Sequence, residues 1–114
     1  MDMDVQNFFM GKDAPEKLVA DGVVRQVLAH APDLMVCRLR FDKGAVGALH
    51  SHPHVQITYI VSGVFEFDIG GRKVVLRAGD STFKQPDIVH GAVCLEAGEL
   101  LDIFHPERED FLTK

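Results

Sequence analysis

Cysteine is scarce in this chain, basic residues are outnumbered, and no long apolar run occurs. The two cysteines, Cys37 and Cys94, are too few and too far apart for a disulfide framework or a CxxC metal or redox motif, and they read as packing thiols in a reducing compartment. Lysine and arginine total 12 against 17 aspartates and glutamates, a formal charge of -5. That balance, without clustered basic residues, excludes a nucleic-acid surface, which needs repeated phosphate contacts. It also makes any inward-facing arginine conspicuous. No apolar stretch approaches the ~20 residues of a membrane-spanning helix, and the start, MDMDVQNFF, is acidic where a secretory signal is basic. The expected compartment is therefore the cytoplasm, with no membrane partner. There is no internal repeat, linker or low-complexity segment, and 114 residues suffice for one domain, 1–114, with its own core.

Histidine, by contrast, is concentrated. Three of the six histidines fall at His50, His52 and His54, and Gln56 continues the same spacing. Residues two apart on an extended chain share a face, so these four side chains are expected on one side, with Ser51, Pro53 and Val55 on the other. Converging neutral imidazoles suit a borderline transition ion such as zinc, nickel, iron, copper or manganese. A site built from one strand is open, and His90, further along, is the candidate that returns to close it. His54 fits the parity, yet a metal has few positions to offer, so it is assigned to supporting the ligands or touching substrate. His30 and His105 receive no role.

Around these residues the chain reads as strands. Val23–His30 and Leu34–Phe41 flank Ala31-Pro32-Asp33, and Met35, Cys37, Leu39 and Phe41 form one apolar face. Val55–Ser62, Val64–Ile69 and Arg72–Leu76 follow, punctuated by Ser62-Gly63 and Gly70-Gly71, which read as hairpin turns. Further turns are expected at Arg77–Asp80, Gln85–Asp87 and Glu96–Gly98. Strands recurring about every ten residues indicate an all-β sandwich or barrel. A short helical turn is expected near Pro15, and Pro106 should end the last strand.

With these motifs in place, the chain resembles the cupin superfamily of small double-stranded β-helix, or jelly-roll, barrels. Gly44, five residues, His50, one residue, His52, three residues, Gln56, six residues and Gly63 follow the first cupin motif, with glutamine where most members carry glutamate. Gly79 and His90 stand at the spacing of the second, while Gln85, Asp87 and Cys94 replace its proline, glycine and asparagine. The resemblance spans about Arg38 to Phe104. It implies His50, His52, Gln56 and His90 as ligands of one divalent transition metal ion: zinc, nickel, manganese or iron. A neutral glutamine leaves more of the ion's charge to act on an anion.

The carboxyl-terminal run DIFHPER, with HSHPHVQ and VHGAV, is similar to the KdgF-type cupins, which convert unsaturated uronates from pectin or alginate into linear keto sugars. That resemblance implies Asp102 and Arg108 as catalytic residues, and Phe104 and Arg108 as contacts to a small anionic sugar, which His54 is expected to touch on the ground of its parity alone. The competing readings make Asp102 a strand-end carboxylate, Phe104 a core ring and Arg108 a solvated tail residue. Two other functions compete: an iron-dependent cupin dioxygenase, and a non-catalytic sugar- or metal-binding cupin. A homodimer is expected from the family's habit and from strands such as Val23–His30 that pair across a two-fold axis.

Overall fold

A computed structural model describes residues 5–112; Met1–Asp4 and Thr113–Lys114 lie outside it, so the acidic start read against a signal peptide falls partly beyond the described residues. The described residues form an antiparallel all-β fold. Its strands are β1 (Lys17–Ala20), β2 (Val23–Ala31), β3 (Leu34–Phe41), β4 (Val46–His50), β5 (Val55–Ile69), β6 (Arg72–Arg77), β7 (Ser81–Lys84) and β8 (His90–His105), followed by one helical turn, α1 (Glu109–Leu112). The sheet runs β1-β2-β3-β8-β5-β6, with β4 on β8 and β7 on β5. Two long strands thus organise the sheet, β8 pairing with β3, β4 and β5 and β5 with β6, β7 and β8. No helix among the described residues is long and apolar enough to cross a membrane.

Alternation decides what each strand buries. Met35, Cys37 and Phe41 turn inward as expected, and on β5 Gln56, Thr58 and Ile60 are buried while Ile57, Tyr59 and Val61 face outward. The apolar core has two parts. Val23, Phe41, Ile60, Phe65, Phe67, Cys94 and Leu100 form the larger, and Met35, Cys37 and Phe104 the smaller. The smaller one lies directly beneath the polar side chains described below.

Three local expectations change. Ser62-Gly63 and Glu96–Gly98 are not turns, because β5 and β8 run through them and pair along nearly their whole lengths with shifts of register between Ile60 and Phe65. Gly63 takes φ 83°, and a Cβ there would sit 2.6 Å from Glu96 O and Gly98 Cα. Two glycines facing each other thus let both long strands bend at one point. Near Pro15 there is no helical turn: a 3₁₀ turn at Gly11–Asp13 precedes it, and β1 follows. Finally, β1 covers Val23–Arg25 of β2, so any two-fold pairing falls to β1 and the remaining length of β2.

Candidate metal centre

β4 ends at His50 and β5 begins at Val55, so Ser51–His54 is a bend around Pro53 and no single extended strand carries the histidines. The ladder nevertheless brings them together. His50, the last residue of β4, pairs directly with His90, the first of β8, and their rings lie 4.4 Å apart. The bend then returns His52 to within 4.9 Å of His90, ring to ring. The ligating nitrogens of His50, His52 and His90 all lie within 4.8 Å of one another.

Each ring is oriented by the backbone. His50 Nδ1 bonds to Ala48 O at 2.8 Å, His90 Nδ1 to Ile88 O at 2.9 Å and His52 Nδ1 to His54 O at 3.2 Å. A carbonyl only accepts, so Nδ1 carries the proton in His50 and His90 and their Nε2 atoms keep a lone pair, while His52 has an oxygen acceptor at each ring nitrogen. Burial pushes the His90 pKa down to about 4. For His52 burial also lowers it, with the charge of Arg108 acting in the same direction. Both are neutral donors at physiological pH.

Two observations test whether a cation fits. His90 Nε2 is buried and has no hydrogen-bond partner, a state that normally costs ~1–3 kcal/mol. His52 Nε2 lies 2.9 Å from Gln56 Oε1, a hydrogen bond in the metal-free site that places two potential donor atoms side by side. That separation suits neighbouring ligands on one ion with bonds of about 2.1 Å. The donor set His50, His52, His90 and Gln56 therefore fits a divalent transition ion.

His50 and His90, with His52 behind them, line a cavity of about 140 Å³ whose wall also includes Gln56, Asp102, Phe104 and Arg108. Asp102 is set opposite Thr58 in the β5–β8 ladder, and the Thr58 hydroxyl donates to Asp102 Oδ1 at 2.6 Å. Phe104 is buried and packs edge-on against His52, so it is both core ring and cavity wall. Arg108 is only 13% exposed but is already engaged: Nε and Nη2 bond to Asp110 Oδ1 and Oδ2 at 3.0 and 2.9 Å. His54 is not among the cavity-lining residues. Its carbonyl holds His52, while its ring stands behind that of His52 at 5.5 Å.

Thr58, Lys84 and Arg25 line the same cavity and were not singled out from sequence. Lys84 is 1% exposed and donates to Thr58 Oγ1 at 2.7 Å and Thr82 Oγ1 at 2.8 Å. Gln56 Nε2 also donates to Thr58 Oγ1, at 3.3 Å. With its acceptor sites filled, the Thr58 hydroxyl has its proton directed onto Asp102. Parity from Gln56 pointed to Thr58, but Lys84 needs the register of β7 on β5, where it pairs with Gln56.

Residues 37–104 match the Cupin domain family. Over 110 residues, covering 95% of this chain and 100% of the other, the sequence is 38% identical to the pectin degradation protein KdgF of Dickeya dadantii (strain 3937). Among solved structures, an RmlC-like cupin from Shewanella frigidimarina NCIMB 400 superposes with a TM-score of 0.89 at 42% identity, covering 93% of this chain and 96% of that one. KdgF from Halomonas sp. gives 0.88 at 40% identity, covering 93% and 98%. The antiparallel barrel is accordingly a cupin jelly roll.

Proposed function

This chain belongs to the cupin family, and from that premise we propose that it is a metal-dependent isomerase-type enzyme of pectin or alginate breakdown, opening 4,5-unsaturated uronates to linear keto sugars. The observation that carries the reading is a three-histidine cluster, two of whose members, His50 and His90, share one small cavity with an oriented carboxylate, Asp102. The similarity to two KdgF proteins supplies the substrate class.

A divalent ion held by His50, His52, His90 and Gln56 would supply Lewis-acid polarisation of sugar oxygens. The chain's own residues move the proton. Ring opening of such a uronate removes the anomeric hydroxyl's proton, breaks the bond from the anomeric carbon to the ring oxygen, and returns a proton to the vinyl carbon. Asp102 takes the first proton and returns it at the second step, as general base and then general acid. It ends as it began, and the isomerisation consumes no oxidant. Thr58, fixed by Lys84 and Gln56, holds Oδ1 and leaves Oδ2 to face the substrate. Phe104 forms an apolar wall that excludes water from the transferring proton. We place this activity in the cytoplasm, in keeping with two buried free thiols, and in a homodimer formed through the β1 edge.

The deciding experiment is incubation of metal-loaded protein with unsaturated uronates in the absence of oxygen, following loss of the conjugated enol absorbance. Turnover without oxygen is expected. A strict oxygen requirement would favour an iron dioxygenase, and binding without turnover an accessory sugar-binding cupin.

A further inference from the structure

Arg25 occupies a position where a strand ordinarily buries hydrocarbon. It alternates on β2 with Val23, which is 3% exposed, and Val27, which packs against the smaller core cluster, so strand parity turns it into the barrel. Its ladder partner on β3 is Leu39. Burial pulls the guanidinium below the ordinary arginine range, but an arginine does not give up its proton in a protein. A positive charge in that setting calls for a counter-charge.

Among the described residues no carboxylate comes within hydrogen-bonding or ion-pairing distance of it. Its close partner is the face of Phe111, 3.6 Å from the guanidinium carbon. Arg108 stacks on the same ring at 4.2 Å, yet its fork is filled by Asp110. Asp110 acts on Arg25 only as the weakest of the influences on its pKa. Two guanidiniums thus stack on one ring beside the cavity, and the carboxylate nearest them, Asp110, is bonded to Arg108. The surplus positive charge, with its donors uncommitted, is Arg25.

Resting on the uronate reading above, we propose that Arg25 is the residue that anchors the substrate's carboxylate, through a two-pronged hydrogen bond. The Arg108–Asp110 pair then serves as a positioning element, holding Phe111 against the Arg25 guanidinium so that its plane faces the cavity. A planar fork matches a planar carboxylate, and the anchor lines the same cavity as His50 and His90, so that it would fix an end of the ligand that the metal centre does not.

The test uses the full-length, zinc-loaded protein and two unreactive probes, galacturonate and its methyl ester, titrated calorimetrically into the parent and into Arg25→Met, Arg25→Lys and Arg108→Met. Arg25→Met should weaken galacturonate binding ten- to a hundredfold and leave the ester within twofold. Arg25→Lys should recover part of the loss, and it carries the same comparison if the methionine variant does not fold. Arg108→Met should weaken acid and ester alike, and by less. If the parent binds galacturonate and the Arg25 variants bind it equally well, or lose acid and ester equally, the anchor assignment is overturned and the uronate reading stands. If the parent binds neither probe, the uronate reading falls and takes this assignment with it.

Discussion

Replacing Lys84 with methionine should change how stability depends on pH more than stability at neutrality. Lys84 is fully enclosed, and its ammonium meets two hydroxyls but no carboxylate directly. Burial lowers its pKa from 10.5 to about 8, with Asp102 opposing. A depressed folded-state value means that the unfolded chain holds a proton the native chain has lost between pH 8 and 10.5, so stability rises with pH across that window. At about 1.4 kcal/mol per pH unit, the whole effect is about 3 kcal/mol. Cys37 works the other way. Burial, assisted by Asp102, raises its thiol from 9.0 to about 12, so its contribution is complete below pH 9 and is lost as pH climbs toward 12. The parent should therefore gain up to about 1.4 kcal/mol between pH 8 and 9, level off to about 10.5 while the two slopes cancel, and then fall. Lys84→Met should be flat to pH 9 and fall from there. At pH 7 the variant's gain from losing a buried charge is offset by two hydroxyls left short of a donor, each worth about 1–3 kcal/mol. Urea unfolding at pH 7, 8, 9 and 10, followed by far-ultraviolet circular dichroism, measures both curves. Parallel profiles for parent and variant would refute the claim that the lysine charge is desolvated.

Other perturbations address separate parts of the molecule. His52→Ala should abolish metal uptake, read by elemental analysis after dialysis, while the barrel stays folded, because apolar strands supply most of the burial; global unfolding would show the ion to be structural. Asp102→Asn should lower turnover of an unsaturated uronate about 10²–10⁴-fold with little change in KM, and a parental rate would remove Asp102 from the mechanism. Gly63→Val should lose about 3 kcal/mol or fail to fold, since its Cβ meets the backbone of Glu96 and Gly98 at 2.6 Å and its φ disfavours a branched residue; a melting temperature within two degrees of the parent's would contradict the bend.

The histidine site was legible because its members are close in sequence or share a strand end, and spacing alone grouped His50, His52, His54 and Gln56, of which His54 does not line the cavity. What spacing could not show is the reason they converge: β4 stops at His50 and a proline-containing bend, not an alternating strand, returns His52. Gly63 and Gly98 misled for a related reason. Each is a turn signal when read locally, and only their apposition across β5 and β8 turns two apparent ends into one shared bend. The strand faces, by contrast, were readable wherever hydrophobic alternation was unbroken, as from Met35 to Phe41.

Inner-face charges were the hardest to read, and they set the charge balance around the cavity. A lone lysine in STFK, or a lone arginine between valines, looks like an ordinary interruption of period two until the register shows what it faces. Lys84 pairs with Gln56, and Thr82, Thr58, Asp102 and Cys37 follow one another across the next rung, so charges distant in sequence become neighbours. Around the cavity Arg25, Lys84 and Arg108 then stand against Asp102 and Asp110, a surplus of one positive charge. Every candidate metal ligand is neutral, so an ion bound there would keep its full charge, and nothing in the ligand set offsets the surplus. A protein of net charge -5 thus presents a locally positive pocket, and a small anion entering it is drawn against the repulsion of the surface it has to cross.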